Sequence, residues 1–194
     1  MQVAKLMMAA SSTLSDEELV DEDRLRDVLP VLDVLGPASL FYLDRSDFLP
    51  TEGGAAVGAV VEAVCGDDEM SALLARAGEE DAGEAGLDDI TSPAFVLRGG
   101  DGVVAAAGYQ VWPKSVAHLS VLVAPGHRGR GLALAVASAA VAHALDARLL
   151  PQWRARPHPS KRVARALGFQ ELGSQLSVRL GDAVSPAKDG ETAP

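Results

Sequence analysis

A short apolar strand, a turn rich in glycine and arginine, and a long alanine-rich helix follow one another between residues 121 and 145. The turn reads His-Arg-Gly-Arg-Gly from His127 to Gly131. A turn that opens a helix leaves the first backbone N–H groups without acceptors at the positive end of the helix dipole. Glycines allow an anion close to the backbone, and arginines add charge-assisted donors. The feature therefore predicts a binding site for a phosphate or pyrophosphate.

Two common phosphate-binding loops do not fit this turn. A P-loop ends in Gly-Lys-Ser or Gly-Lys-Thr, which the sequence does not contain. A dinucleotide-binding loop needs three glycines spaced G-x-G-x-x-G and an acidic residue about 20 positions later. Here Gly129 and Gly131 are followed by Leu134 at the third position, and no acidic residue lies near that offset.

The composition is typical of a folded cytoplasmic protein. Of the 194 residues, 48% are hydrophobic, which excludes wholesale disorder. The longest apolar run, 132–145, contains Ser138 and His143 and is shorter than the roughly 18 residues of a membrane span. The acidic stretch 16–23 argues against a signal peptide. The single cysteine, Cys65, allows no internal disulfide, which suits a reducing cytoplasm. The histidines lack the spacing of metal ligands, so we expect no metal site.

Charge is distributed unevenly along the chain. The net charge is −10, yet residues 111–180 hold ten of the 17 lysines and arginines and two of the 27 acidic residues. A basic segment that coincides with a phosphate-binding turn favours a polyanionic small molecule. The acidic rest of the chain, outside 111–180, disfavours nucleic acid as a partner and could attract a cationic amine. For most of these acidic residues, a solvated surface is the simpler interpretation.

Hydrophobic periodicity and turn signals predict a main domain over residues 55–180, preceded by an acidic extension at 1–54 and followed by a disordered tail at 181–194. The extension is expected to hold a loose terminus, a helix within 16–35 and a short strand at 39–43. Within the main domain the predicted order is β-α-α-β-β-β-α-β-α-β. The expected strands are 56–65, 95–98, 103–112, 116–123, 149–155 and 169–180, and the expected helices are 67–77, 79–86, 132–147 and 160–167.

The turn and a later segment resemble the GNAT superfamily of N-acetyltransferases. That family binds a pyrophosphate with the pattern Arg/Gln-x-x-Gly-x-Gly/Ala, and this chain reads Arg128-Gly-Arg-Gly131-Leu-Ala133. As in the family, a strand and Pro125 precede the loop and a long helix follows it. A short helix ending in Leu-Gly-Phe at 167–169, and then another strand, complete the resemblance.

The resemblance implies an α+β fold, with a mixed and mostly antiparallel sheet, helices on both faces and a V-shaped splay between two parallel strands. Acetyl-CoA is the implied cosubstrate, and its pantetheine arm would enter the splay and pair with the backbone of Leu122 and Val123. Lys161 and Arg162 could reach its 3′-phosphate or could form a solvated helix face. The pyrophosphate would bind the loop residues Arg128, Gly129, Arg130, Gly131, Leu132 and Ala133.

The resemblance offers candidates for the catalytic residues but departs from the family at two positions, Ala164 and Pro157, the second of which often holds an asparagine in the family. Family bases often project from the strand before the loop, which suggests His118 and Ser120, although a structural histidine fits position 118 equally well. Many members carry a tyrosine acid in the last helix, at the position that Ala164 occupies here. Ser160 or water could take the place of that acid.

The implied activity is transfer of an acetyl group from acetyl-CoA to a primary amine, on a small molecule or a peptide, by direct attack. Because Ala164 replaces the tyrosine and Pro157 the asparagine, a non-catalytic acyl-CoA-binding or regulatory module is the alternative. A third hypothesis is a partner-binding protein that acts through its acidic N-terminal region. The first two predict CoA binding and only the first predicts turnover. The last strand could pair across a homodimer, and neither nucleic acid nor a membrane is expected as a partner.

Overall fold

A computed structural model describes residues 2–51, 61–64, 67–100, 102–113, 115–156 and 158–181. The chain divides into two compact units, Met1–Ala38 with Ser174–Pro194, and Ser39–Gly173. The helices are α1 (Gln2–Thr13), α2 (Glu22–Val28), α3 (Asp67–Ala77), α4 (Glu79–Ala85), α5 (Leu132–Asp146) and α6 (His158–Ala166). The strands are β1 (Val31–Tyr42), β2 (Glu62–Val64), β3 (Ala94–Gly99), β4 (Gly102–Trp112), β5 (Val116–Val123), β6 (Leu150–Ala155) and β7 (Gln170–Leu180).

The strands form one mixed sheet in the order β2-β3-β4-β5-β6-β1-β7. The pairs β2/β3, β3/β4, β4/β5 and β6/β1 are antiparallel, and β5/β6 is parallel. From β2 to β7 the elements follow the predicted order of strands and helices. The predicted fold class, a mostly antiparallel sheet with one parallel pair, is confirmed.

The larger unit, Ser39–Gly173, packs helices on both faces of its strands. Because successive side chains of a strand point to opposite faces, the strands β3, β4 and β5 contribute to two separate cores. One core lies under α5 and α6 and includes Phe41, Leu119, Val136, Trp153 and Ala164. The other lies under α3 and includes Leu73, Leu87, Val96, Ala106 and Leu122.

The smaller unit contains a helix where the sequence predicted a loose terminus. Ala10 and Leu14 pack against Leu25 of α2 and Leu29 in a small apolar core. The expectation of one helix within 16–35 was also wrong, because α2 ends at Val28 and β1 begins at Val31. Leu29 has extended dihedral angles (φ −129, ψ 147) and directly precedes Pro30. A proline disfavours the helical conformation in the residue before it, so the helix ends here.

Residues 39–42 of β1 pair with β6, in a register that runs from Ser39 opposite Ala155 to Tyr42 opposite Gln152. The short strand predicted at 39–43 is therefore the end of a longer strand that belongs to the sheet. The predicted boundary after residue 54, most of the strand predicted at 56–65, Cys65 and the tail beyond Gly181 lie outside the described residues. The division at residue 54 stays a prediction.

Among the described residues, no helix combines the length and apolar character that crossing a membrane requires. Nor does this part of the chain bring three or more histidine, cysteine or acidic side chains together as a group that could hold a metal ion.

Candidate active site

The parallel strands β5 and β6 diverge partway along their length. Their pairing ends at His118 and Gln152, whereas β5 continues to Val123 and β6 to Ala155. On its other edge β5 stays paired with β4 up to Val123, opposite Ala105. An opening therefore lies between the two parallel strands beyond His118. The predicted V-shaped splay lies at this point.

The turn after β5 opens α5 with two glycines in the left-handed region, Gly129 (φ 75) and Gly131 (φ 78). Gly131 is the N-cap, no side chain caps the helix, and its first turn holds no acidic residue. The first helical N–H to bond back is that of Ala135, so those of residues 132–134 have no acceptor within the helix. A Cβ built on either glycine meets nothing within 4 Å. The site fits the oxygens of a phosphate group.

The two arginines of this turn have different surroundings. The Arg128 guanidinium lies 2.6 Å from the Asp81 carboxylate, and its Nε donates to the carbonyl of Val123 at 3.3 Å. Arg130 is exposed and makes no ion pair or hydrogen bond within the described part of the chain. Because Asp81 already neutralises Arg128, Arg130 is the more available of the two for a bound anion.

A second carboxylate of α4 lies on the other side of the opening. Glu84 forms an ion pair with Arg156, which directly follows β6, and both side chains are about one-third exposed or less. The short acidic helix α4 thus neutralises one arginine after β5 and one after β6. The helix predicted at 79–86 is confirmed. The structure further shows that its carboxylates pair with Arg128 and Arg156.

His118 lies where the pairing of β5 and β6 ends. Its Nδ1 is 2.7 Å from Oε1 of Gln152, and its ring stacks on Trp112 with centroids 4.2 Å apart and an interplanar angle of 12°. Since a carboxamide oxygen only accepts, Nδ1 carries the proton and Nε2 keeps a free lone pair. Burial lowers the pKa of His118 below its usual 6.5 and the nearby Arg154 lowers it further, although the hydrogen bond to Gln152 opposes both.

Gln152 connects His118 to a tyrosine that the sequence did not single out. Gln152 is only 5% exposed, and its Nε2 donates to the Tyr42 hydroxyl oxygen at 2.9 Å. Tyr42 lies directly opposite Gln152 in the β1/β6 register. Side chains of three neighbouring strands therefore form one hydrogen-bonded row, with a proton-accepting nitrogen at one end and a phenol at the other.

Comparison with known proteins connects this geometry to a family. Residues 94–174 match the family model of the GNAT acetyltransferase. The chain is thus similar to that family over the segment from β3 to the start of β7. The resemblance that the sequence suggested is thereby confirmed.

Solved structures of GNAT-family proteins share the fold of this chain. A GNAT-family protein from Novosphingobium aromaticivorans has a TM-score of 0.59 and 22% identity, and the match covers 76% of this chain and 65% of that one. A GCN5-related N-acetyltransferase from Kribbella flavida has a TM-score of 0.58 and 24% identity, covering 84% and 63%. A GNAT-family acetyltransferase from Colwellia psychrerythraea has a TM-score of 0.55 and 15% identity, covering 82% and 61%. The matches thus span less than two thirds of these three proteins, and no curated protein matches the sequence.

The other predicted catalytic residues, Ser120 and Ser160, make different contacts. Ser120 shares the face of β5 that carries His118, but its hydroxyl donates to the carbonyl of Gly86 at 3.0 Å. Ser160 accepts a hydrogen bond from the Trp153 indole at 2.9 Å. Trp153 points into the core under α5 and α6, away from the face of Gln152. The structure thus joins His118 to Gln152 and Tyr42, and it places both serines elsewhere.

Most of the residues predicted to contact CoA lie along the opening and the turn. Leu122 is buried in the core under α3, and Val123 is half-buried at the end of β5. Leu132 is buried and Ala133 half-buried in the first turn of α5. Lys161 donates instead to the Ser39 hydroxyl at 2.8 Å, while Arg162 is exposed on α6.

Proposed function

We propose that this protein is an N-acetyltransferase that transfers the acetyl group of acetyl-CoA to a primary amine by direct attack. The observation that supports this most strongly is the open, glycine-capped start of α5 beside the divergence of β5 and β6. The pyrophosphate would bind the N–H groups of residues 129–133 and the Arg130 side chain. The pantetheine arm would extend along the free edge of β5, beside Leu122 and Val123.

In this proposal the base is His118. Its Nε2 accepts the proton that the attacking nitrogen loses as that nitrogen bonds to the thioester carbonyl carbon. The carbon–sulfur bond then breaks, and the departing thiolate takes up a proton. Gln152 holds Nδ1–H and so keeps Nε2 available as the acceptor, while the lowered pKa of His118 keeps the ring neutral at pH 7.

The positions of Ser120 and Ser160 support them less well as acid or base. The hydroxyl proton of Ser120 is already donated to Gly86, and Ser160 contacts Trp153 on the other side of β6. Water therefore supplies the thiolate proton in the mechanism proposed here. We propose that the acceptor is a small-molecule or peptide amine and that the protein is cytoplasmic. In a homodimer, β7 would be the strand that pairs with the second copy.

One observation favours a non-catalytic acyl-CoA-binding module as a second candidate. Ala164 is a fully buried residue of α6, so this helix supplies no hydroxyl at the position where many GNAT members carry a tyrosine. Such a module would bind acetyl-CoA through the same turn but would release no CoA thiol when amines are added.

Calorimetric titration with acetyl-CoA tests the binding half of the proposal. Arg130→Glu places a carboxylate at the start of α5 and should abolish measurable binding. Arg148→Glu makes the same charge change just after the other end of α5 and serves as the matched control. Absence of binding to the folded wild-type protein would remove both CoA-dependent candidates. Thiol release with a panel of amines then separates the enzyme from the binding module.

A further inference from the structure

Arg154 differs from the other arginines around the opening. It is half-buried in β6, two residues after Gln152, and therefore on the same face of the strand. Arg128 and Arg156 are each neutralised by a carboxylate of α4, and Arg130 is exposed to solvent rather than half-buried. The Arg154 guanidinium makes neither an ion pair nor a hydrogen bond with the residues that the structure describes, and its register partner, Leu40, is apolar.

An unpaired, half-buried guanidinium is an unusual arrangement. Removing a charge from water without a counter-ion costs free energy, and a bound anion offsets that cost. Arg154 also lies close enough to His118 for its charge to act on the imidazole. The unsatisfied cation is therefore next to the proposed base rather than on a remote surface.

Tyr42 adds a second donor beside Arg154. The Tyr42 oxygen accepts a hydrogen bond from Gln152, so its O–H is left to donate to another group. Tyr42 lies opposite Gln152, and Arg154 lies two residues further along β6, which makes the two side chains diagonal neighbours across β1 and β6. Such neighbours are about 7–8 Å apart at the backbone, within reach of long side chains.

We propose that Arg154 and Tyr42 form a binding subsite for a substrate carboxylate next to His118. Both the guanidinium and the phenol would donate hydrogen bonds to a carboxylate. The planar guanidinium matches the two oxygens of that group. The inference rests on the proposed acetyltransferase function and narrows its substrate class. The carboxylate belongs either to the amine acceptor, as in an amino acid, or to the acyl group of a dicarboxylic acyl-CoA.

A carboxylate-binding subsite favours a different acceptor from the one that the net charge of the chain suggests. The acidic surface of the chain favours a purely cationic acceptor, but the groups next to His118 are a cation and a phenol. A diamine would place its second positive charge against Arg154. An acceptor that pairs its amine with a carboxylate avoids that repulsion.

Matched acceptors that differ only in the carboxylate test the subsite. The pairs are glycine with methylamine, β-alanine with ethylamine, and 4-aminobutyrate with propylamine, each assayed for thiol release from acetyl-CoA. A parallel series with succinyl-CoA and the plain amines tests the acyl donor as the source. The ratio of kcat/KM with and without the carboxylate is compared among the wild type, Arg154→Gln, Tyr42→Phe and the control Arg148→Gln.

We expect Arg154→Gln to lower this ratio by about 10- to 100-fold in one of the two series, as the loss of a charge-assisted hydrogen bond predicts. Tyr42→Phe should lower it by a smaller factor, about 3- to 10-fold, because a neutral donor contributes less. Arg148→Gln should leave it unchanged. The ratio cancels any effect of Arg154 on His118 that acts on all substrates alike.

The subsite is refuted if the wild type shows no preference for a carboxylate in either series, or if Arg154→Gln lowers all rates equally. Failure of the proposed function would look different. In that case the wild type would release no thiol with any amine, and calorimetry would show no binding of acetyl-CoA.

Discussion

Replacing Gln152 with glutamate should move the pH dependence of the reaction to higher pH. In the wild type, Gln152 Oε1 accepts from His118 Nδ1 at 2.7 Å. The pKa of His118 lies below 6.5, mainly because burial disfavours the charged ring. The base is active when deprotonated, so kcat/KM should rise with pH through a value below 6.5. A carboxylate at position 152 stabilises the imidazolium and raises that value.

The size of this shift follows from the short contact. Two unit charges about 4 Å apart interact by about 4 kcal/mol at an effective dielectric constant of about 20. One pKa unit corresponds to about 1.4 kcal/mol, so the upper limit is about 3 units. His118 is only partly buried, and solvent screening reduces the expected shift to about 1 to 2 units.

Gln152→Met serves as the paired control because it keeps the length of the side chain and removes the acceptor. The hydrogen bond that His118 donates to Gln152 raises the pKa of His118, so loss of this bond should move the kinetic pKa down. The profiles are measured as kcat/KM from thiol release at saturating acetyl-CoA, and an NMR titration of His118 gives the pKa without turnover. Shifts of both variants in the same direction, or no shift with glutamate, would contradict the role given to His118 and Gln152.

Three other substitutions test the turn and the packing. Gly131→Val should weaken acetyl-CoA binding by at least tenfold (about 1.4 kcal/mol) in calorimetry, because φ 78 disfavours a side chain and its methyl groups would enter the anion site. Asp81→Asn frees Arg128 and should tighten acetyl-CoA binding by up to about fivefold at low salt, with the gain lost at high salt. Gly168→Ala should lower stability by at least about 2 kcal/mol in denaturant unfolding, because its Cβ would lie 1.9 Å from the carbonyl oxygen of Asp47.

Local features of the chain were predicted well from the sequence. The β3–β4 hairpin, strand β5, the helix α5 and the α6–β7 segment each appear within a few residues of the expected bounds. In these segments the deciding signals are apolar periodicity and turn glycines, which act over a few neighbouring residues. The glycine-capped start of α5 is of the same kind, because Gly129 and Gly131 adopt positive φ within a single turn.

The sequence by itself thus determined the strand–turn–helix that would bind a pyrophosphate, since every group involved lies between residues 121 and 135. It did not determine that β1 begins directly after Pro30 and runs beside β6, or that this register places Tyr42 opposite Gln152. Nor did the sequence predict that Arg128 and Arg156 pair with carboxylates of α4. These contacts join residues more than 40 positions apart, and only the packed sheet decides which of many possible strand neighbours and registers is formed.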